Sequence, residues 1–164
     1  MGLTLEEGNR VLRGALAKAQ ELNIKISAAV CDAGGRLVVF QRMDNAIWAS
    51  AYASQGKAVA SAAFGRPSGE MVERADQPTP RGIAAAEGGH MIMGQGAVPI
   101  IRNGVVEGAC GVSGGTGQQD EDCRPRRRLA IVASRRSSRG HQGRPIGRAN
   151  ARQQGWRGCG RRLV

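Results

Sequence analysis

Aromatic residues are scarce in this chain: 164 residues include two Trp, two Phe and one Tyr. A core with so few rings must be filled by small and aliphatic side chains packed closely. Histidine is scarcer still, with His90 and His141 alone, which confines imidazole chemistry to two positions. No apolar run approaches the roughly 20 residues of a membrane-spanning helix, so no membrane partner is expected. The four cysteines, Cys31, Cys110, Cys123 and Cys159, form no CxxC pair and no zinc-like spacing, and read as reduced thiols of a cytosolic protein. The N-terminus, Met1-Gly2-Leu3-Thr4-Leu5-Glu6-Glu7, has neither a basic n-region nor an apolar h-region. Glu6 stands where a myristoylation motif needs Ser or Thr. The expected compartment is the cytoplasm. Nucleophile elbow, Walker lysine and paired catalytic carboxylates are all absent, and the sequence leaves enzymatic activity open.

The formal charge of +11 is unevenly placed. Residues 1–123 hold 11 Lys+Arg against all 13 Asp+Glu, a net of −2, whereas residues 124–164 hold 13 Arg, no Lys and no acid. The basic excess belongs to the C-terminal segment, so the high isoelectric point says nothing about the rest. The division predicts one domain over 1–123 and a separate Arg-rich tail over 124–164.

Local patterns predict the elements of that domain. Thr4 and Glu7 form a capping box, and Leu12, Ala15, Ala19 and Leu22 recur at helical spacing, giving a helix over about 4–22. Ile24, Ile26, Ala28 and Val30 alternate with Lys25 and Ser27 as a strand. Asp32-Ala33-Gly34-Gly35 turns the chain into a return strand beginning at Leu37. Residues 46–63 are rich in alanine, predicting a helix packed closely on another surface. Gly65-Arg66-Pro67 stops it, and a short helix capped by Ser68 follows over Ser68–Ala75. Pro78, Pro80 and five glycines mark 76–96 as loop-like. Val98–Ile101 and Val105–Val112 flank Asn103-Gly104, a strong hairpin signal, and Pro99 puts its strand at an edge or start. The order indicates an α+β fold, an antiparallel sheet with packed helices.

Several of these landmarks recur together: Asp32-Ala33-Gly34-Gly35, Ala63-Phe64-Gly65-Arg66-Pro67-Ser68, Gly88-Gly89, Pro99-Ile100, and Ser113-Gly114-Gly115-Thr116 followed by Gln118-Gln119-Asp120-Glu121-Asp122. From about Leu3 to Cys123 the ordered set resembles the GlcG/HbpS family, which includes the C-terminal domain of PduO-type corrinoid adenosyltransferases. The resemblance implies a profilin-like α+β domain, a homo-oligomer, and a protein that binds haem or a related tetrapyrrole and bears the label haem-degrading. It also implies links to glycolate or diol catabolism, with a catabolic enzyme or a haem-free oligomeric accessory protein as alternatives.

Haem needs an apolar slot, donors for two propionates and often an axial ligand. Arg66 offers a planar fork for a carboxylate, or satisfies the last carbonyls of its helix. Gly114 and Gly115 can aim backbone amides at an anion, or make a tight strand-to-helix connection. His90, the one imidazole of the domain, is the candidate iron ligand, with an ordinary loop histidine as the other reading. Tyr52 and Met43 are fallback ligands. Asp120, Glu121 and Asp122 load the first turn of a helix or hold a weakly bound metal.

In relatives the Ser-Gly-Gly segment leads into an alanine-rich helix that closes the domain, and this sequence departs from that at Arg124. Its tail composition predicts disorder, and a shifted reading frame in a GC-rich gene is one origin. Nucleic-acid binding by the arginines is the alternative. Without the closing helix, an apolar surface of the sheet would stay uncovered. Reading the other frames of the coding DNA downstream of Cys123 should recover an Ala/Leu-rich helical continuation; its absence from every frame would exclude the shift.

Overall fold

The computed structural model describes residues 2–123. The Arg-rich segment, with His141 and the expectations of disorder, frame shift and nucleic-acid binding, lies outside the described residues. The elements run α1 (Leu5–Glu21), β1 (Ser27–Asp32), β2 (Leu37–Arg42), α2 (Ala49–Phe64), a 3-10 turn (Ser68–Arg74), α3 (Pro78–Ala86), β3 (Ala97–Arg102), β4 (Val105–Ser113) and α4 (Gly117–Asp122). The four strands form one antiparallel sheet in the order β2-β1-β4-β3. The fold is α+β, an antiparallel sheet with packed helices.

The capping box at the start of α1 is formed: the Glu7 amide donates to Thr4 Oγ1 at 3.2 Å and the Thr4 amide to Glu7 Oε2 at 2.9 Å. Reciprocal bonding of this kind satisfies two amides that the first turn leaves without partners. The buried stripe Val11, Leu12, Ala15 and Ala19 meets Ile26, Ala28, Val30, Cys110 and Val112 on one face of the sheet. Fully burying a residue such as Leu12 contributes about 1.5–3 kcal/mol.

The opposite face is built from small residues. Ala58 and Ala62 of α2 pack on Cys31 and Ala109, while Ser27 Oγ and Ser50 Oγ share a hydrogen bond at 2.7 Å. Helix and strand approach so closely that a Cβ on Gly111 would lie 2.1 Å from the Ser54 carbonyl oxygen. Glycine is required there by contact with backbone, which cannot rotate away. The alanine-rich composition of 46–63 is thus the signature of this close approach.

Two local expectations are corrected. Residues 78–86, read as loop-like, form α3, because Pro78 and Pro80 fall in the first turn, where amides have no partner within the helix. Ser68 does not cap a helix: its hydroxyl donates to the Gly94 carbonyl at 2.5 Å and accepts from the Ala97 amide at 3.0 Å. The following turn is a 3-10 helix with Pro67 at its N-cap. Ser68 thereby occupies an amide on the outer side of β3, and Pro99 has none to offer, so this sheet edge is blunted against further strand pairing. Pro99 on an edge strand agrees with the sequence pattern.

Lys57 is the single charged residue of α2. Its ammonium donates to Asp120 Oδ2 at 2.8 Å and to the Val112 carbonyl at 3.2 Å, with Ser113 Oγ at 3.5 Å. Both side chains are nearly enclosed, at 10% and 3% exposure. Removing one member of such a pair leaves the other buried without its countercharge. Lys57→Met is expected to lower the free energy of unfolding by about 3–5 kcal/mol, measured by urea denaturation. A loss below about 1 kcal/mol, the range of exposed pairs, would show that the pair does not hold α4 to the sheet.

Candidate functional site

The Gly114–Gly115 turn joins β4 to α4. Gly114 has φ of 141°, and a Cβ there would lie 2.3 Å from the Lys25 carbonyl oxygen. The Gly115 amide donates to Asp120 Oδ1 at 2.9 Å, and the Thr116 amide to Gln119 Oε1 at 2.9 Å. These two amides, the natural place for a bound anion, are already engaged by side chains of α4. An incoming anion would have to displace Asp120, whose other oxygen is held by Lys57. The turn is a tight connection locked by a buried carboxylate.

Arg66 follows the C-cap of α2 and its side chain is exposed. It stands at a groove of about 1560 Å³ that runs beside α1. Val11, Val98 and Ile100 supply apolar lining, while Arg10 and Arg66 supply cations and Glu70 and Glu73 supply acids. His90 does not line this groove. It is exposed in the segment after α3, and its imidazole makes no hydrogen bond or ion pair among the described residues. That segment is positioned at two places. Arg36 at the β1–β2 turn pairs with Glu87 at 3.0 Å, and the Ile92 amide donates to the Gly56 carbonyl at 3.0 Å. Ile92 therefore lies against α2 one turn from exposed Tyr52, whose ring meets that of exposed Trp48 edge to face at 6.0 Å.

A haem would require these groups together. The residue types fit, since His90 is unpartnered and Arg66 is accessible, but the described chain does not bring them into one enclosed slot. No His, Met, Cys or Tyr lines the α1 groove, and no group of three or more His, Cys, Asp or Glu suited to a metal ion occurs among the described residues. Met43 is half-buried against the α1 cluster, a packing role, while Tyr52 remains on the surface. The sequence reading placed Asp120 in the first turn of a helix, where it lies, but missed Lys57 and its pairing with that acid. A lone lysine in an alanine-rich helix, opposite an acid behind a glycine turn, was the available signal.

Residues 3–125 match the family described as haem degrading protein HbpS-like. The chain belongs to the HbpS-like family. Among curated relatives, an uncharacterized 15.0 kDa protein from the dhaT-dhaS intergenic region of Citrobacter freundii is 34% identical over 120 residues, covering 72% of this chain and 84% of that protein. Protein GlcG of Escherichia coli strain K12 is 34% identical over 112 residues, covering 68% of this chain and 81% of GlcG. Among solved structures, a PduOC:haem complex superposes with a TM-score of 0.67 at 26% identity, covering 75% of this chain and 90% of PduOC. The similarity expected to GlcG, HbpS and PduO is therefore present.

Within this HbpS-like domain the cysteines are poor nucleophiles. Burial pushes the thiols of Cys31 and Cys123 up to about 11 and that of Cys110 up to about 12. Their unfolded values lie near 8.5. Thiols raised in the folded state contribute stability that is complete below the unfolded value and is lost as pH rises through the folded one. Urea unfolding at pH 8 and 10.5 should show a loss of stability that is smaller in the C31A/C110A/C123A variant. Equal losses in both proteins would show that these thiols are not the source.

Proposed function

We propose that this protein binds haem or a related tetrapyrrole. The reading is carried by the match of residues 3–125 to a family of haem-degrading proteins, and the fold shared with the haem-bound PduOC supports it. Two residues of suitable chemistry are accessible at separate places on the described chain, the His90 imidazole for an axial ligand and the Arg66 guanidinium for a propionate partner, and they stand for alternative positions of the ring. When bound, haem would supply the iron and the oxygen or redox chemistry of its macrocycle. The chain's own part would be to hold the ring and its carboxylates. Degradation of haem needs a reductant and oxygen, and product analysis with both separates binding from turnover.

A homo-oligomer is the second part of the proposal. Ile47, Trp48 and Tyr52 are 64%, 71% and 68% exposed, and α3 buries none of its residues within the described chain. Such a surface favours association with another copy, as an oligomeric accessory protein would also need. A cytoplasmic protein of glycolate or diol catabolism remains the wider setting; no described helix is long and apolar enough to cross a membrane. The described residues carry a slight acidic excess, so nucleic-acid binding would depend on the segment beyond them.

Titrating the full chain with haemin should give a saturable Soret shift. A ring held at His90 should show a changed spectrum in His90→Ala, whereas a propionate held at Arg66 should make Arg66→Ala bind about tenfold more weakly, the loss of one charge-assisted contact of about 1.4 kcal/mol. Absence of any saturable shift would reject haem binding. A shift unchanged by His90→Ala would remove that ligand while leaving the binding in place.

A further inference from the structure

The two edges of the sheet are finished differently. Ser68 and Pro99 close the β3 edge, whereas the outer backbone groups of β2 have no partner among the described residues. The Met43 amide donates to the Ile26 carbonyl at 2.9 Å, and Arg42, Gln41 and Phe40 stand opposite Ser27, Ala28 and Ala29. Bonding alternates along an antiparallel pair. Met43, Gln41 and Val39 therefore bond toward β1, and Phe40 and Arg42 turn their backbone groups outward. The bulge of this pair falls before Val39, so the edge is regular from Val39 to Arg42. Phe40 and Arg42 share the face that Ser27 turns to Ser50 of α2, and Gln41 lies on the α1 face with Ala28. Gln41 and Arg42 are exposed, and neither side chain has a hydrogen bond or ion pair among the described residues. Helix α2 packs chiefly on β1, β4 and β3. Its Val59 would lie 3.4 Å from a Cβ on Gly35 at the β1–β2 turn. Trp48 and Tyr52, eleven and seven residues before Val59, fall on that same flank of the helix.

We propose that a second copy of this chain pairs on this edge, β2 against β2, antiparallel about a two-fold axis at Gln41. The contact rests on the self-association proposed above and names its surface. In this register Phe40 of each copy stands opposite Arg42 of the other. Both pairs exchange their outward amides and carbonyls, which closes the free edge. Gln41 meets its own counterpart in a pair without backbone bonds, where Cα atoms lie about 4.5 Å apart, and the two side-chain amides hydrogen-bond. On the other face each guanidinium lies over the ring of the Phe40 opposite, a cation–π contact formed twice. A centre at Phe40 would instead run the pairing into the bulge. A strand with Phe and Arg flanking a Gln is its own complement, which selects a second copy over an unrelated peptide. The two sheets become one, and the flanks of α2 carrying Trp48 and Tyr52 face each other across the join.

Analytical ultracentrifugation of the full chain over a range of concentrations, with circular dichroism to check folding, tests the contact. Gln41→Lys and Gln41→Glu each put like charges opposite one another at the axis, and each alone should weaken self-association about tenfold or more. Mixed in equal amounts, the two variants should recover the unaltered affinity to within about threefold, because a lysine then meets a glutamate. Arg42→Pro removes an outward amide and no bond to β1, and should weaken association by a similar factor. Should Arg42→Pro unfold the chain, the two charge variants at the exposed Gln41 still decide. An oligomer unaffected by Gln41→Lys, or weakened by it and not restored by mixing, would overturn the β2 contact while leaving self-association in place. A full chain that stays monomeric throughout would remove both.

Discussion

The buried pair between Lys57 and Asp120 is the contact on which the end of the domain depends. It joins three elements: the middle of α2, the last residues of β4, and α4. Each Asp120 oxygen has one task, since Oδ2 takes the ammonium and Oδ1 takes the Gly115 amide. Desolvating both charges is costly, and the attraction between them offsets that cost only when the remaining hydrogen-bonding capacity is satisfied nearby. Here the Val112 carbonyl and the Ser113 hydroxyl provide it. The pair therefore specifies where β4 ends and which way α4 leaves the sheet, more than it adds net stability.

The two faces of the sheet solve packing differently, and that difference explains the pair's position. Toward α1, branched and long side chains keep helix and sheet apart and bury apolar area. Toward α2, serine, alanine and glycine bring backbones together, so that a long side chain such as Lys57 can run from the helix to the strand end beyond it. Close packing of small residues gains contacts at many atoms but buries little surface for each residue. Much of the large apolar surface of this part of the chain, Ile47, Trp48 and Tyr52 among it, stays outside. A sheet covered thinly on one face and flanked by a groove on the other has surface to offer a partner on both sides.

Local chemistry was legible in the sequence wherever one short segment decided the outcome. Thr4 with Glu7, and Asn103 with Gly104, carry their geometry in adjacent residues, and the alanines of 46–63 announced close packing before any partner was known. Proline misled at α3, because the same residue breaks a helix interior and suits its first turn; local sequence alone did not say which position Pro78 and Pro80 would take. The pair was missed for a different reason. Lys57 and Asp120 are 63 residues apart, and an acid behind a glycine turn fits the helix dipole as readily as a buried partner. Arg66 and His90 were identified by residue type, which sequence supplies, but whether they share a site depends on long-range placement, which it does not.

Charge bears on what the α1 groove can take. A tetrapyrrole brings two propionates, and Glu70, Glu73, Glu121 and Asp122 would face them. Of the cations there, Lys18 is 2.8 Å from Glu21 and Arg10 is 3.6 Å from Glu6, leaving Arg66 as the accessible donor. Like charges about 4 Å apart repel by roughly 1 kcal/mol in water and 4 kcal/mol near a protein surface, so a dianion is opposed there. A tetrapyrrole held by His90, as proposed, would lie clear of these acids, since His90 is exposed outside the groove and its segment packs on α2, the helix that carries Tyr52. Burial of the ring's flat apolar faces would drive such binding. Exposed Trp48 and Tyr52 are described apolar surface on that side, and a second copy would be one way to enclose the ring. On this reading the two proposals, haem binding and self-association, draw on the same exposed surface.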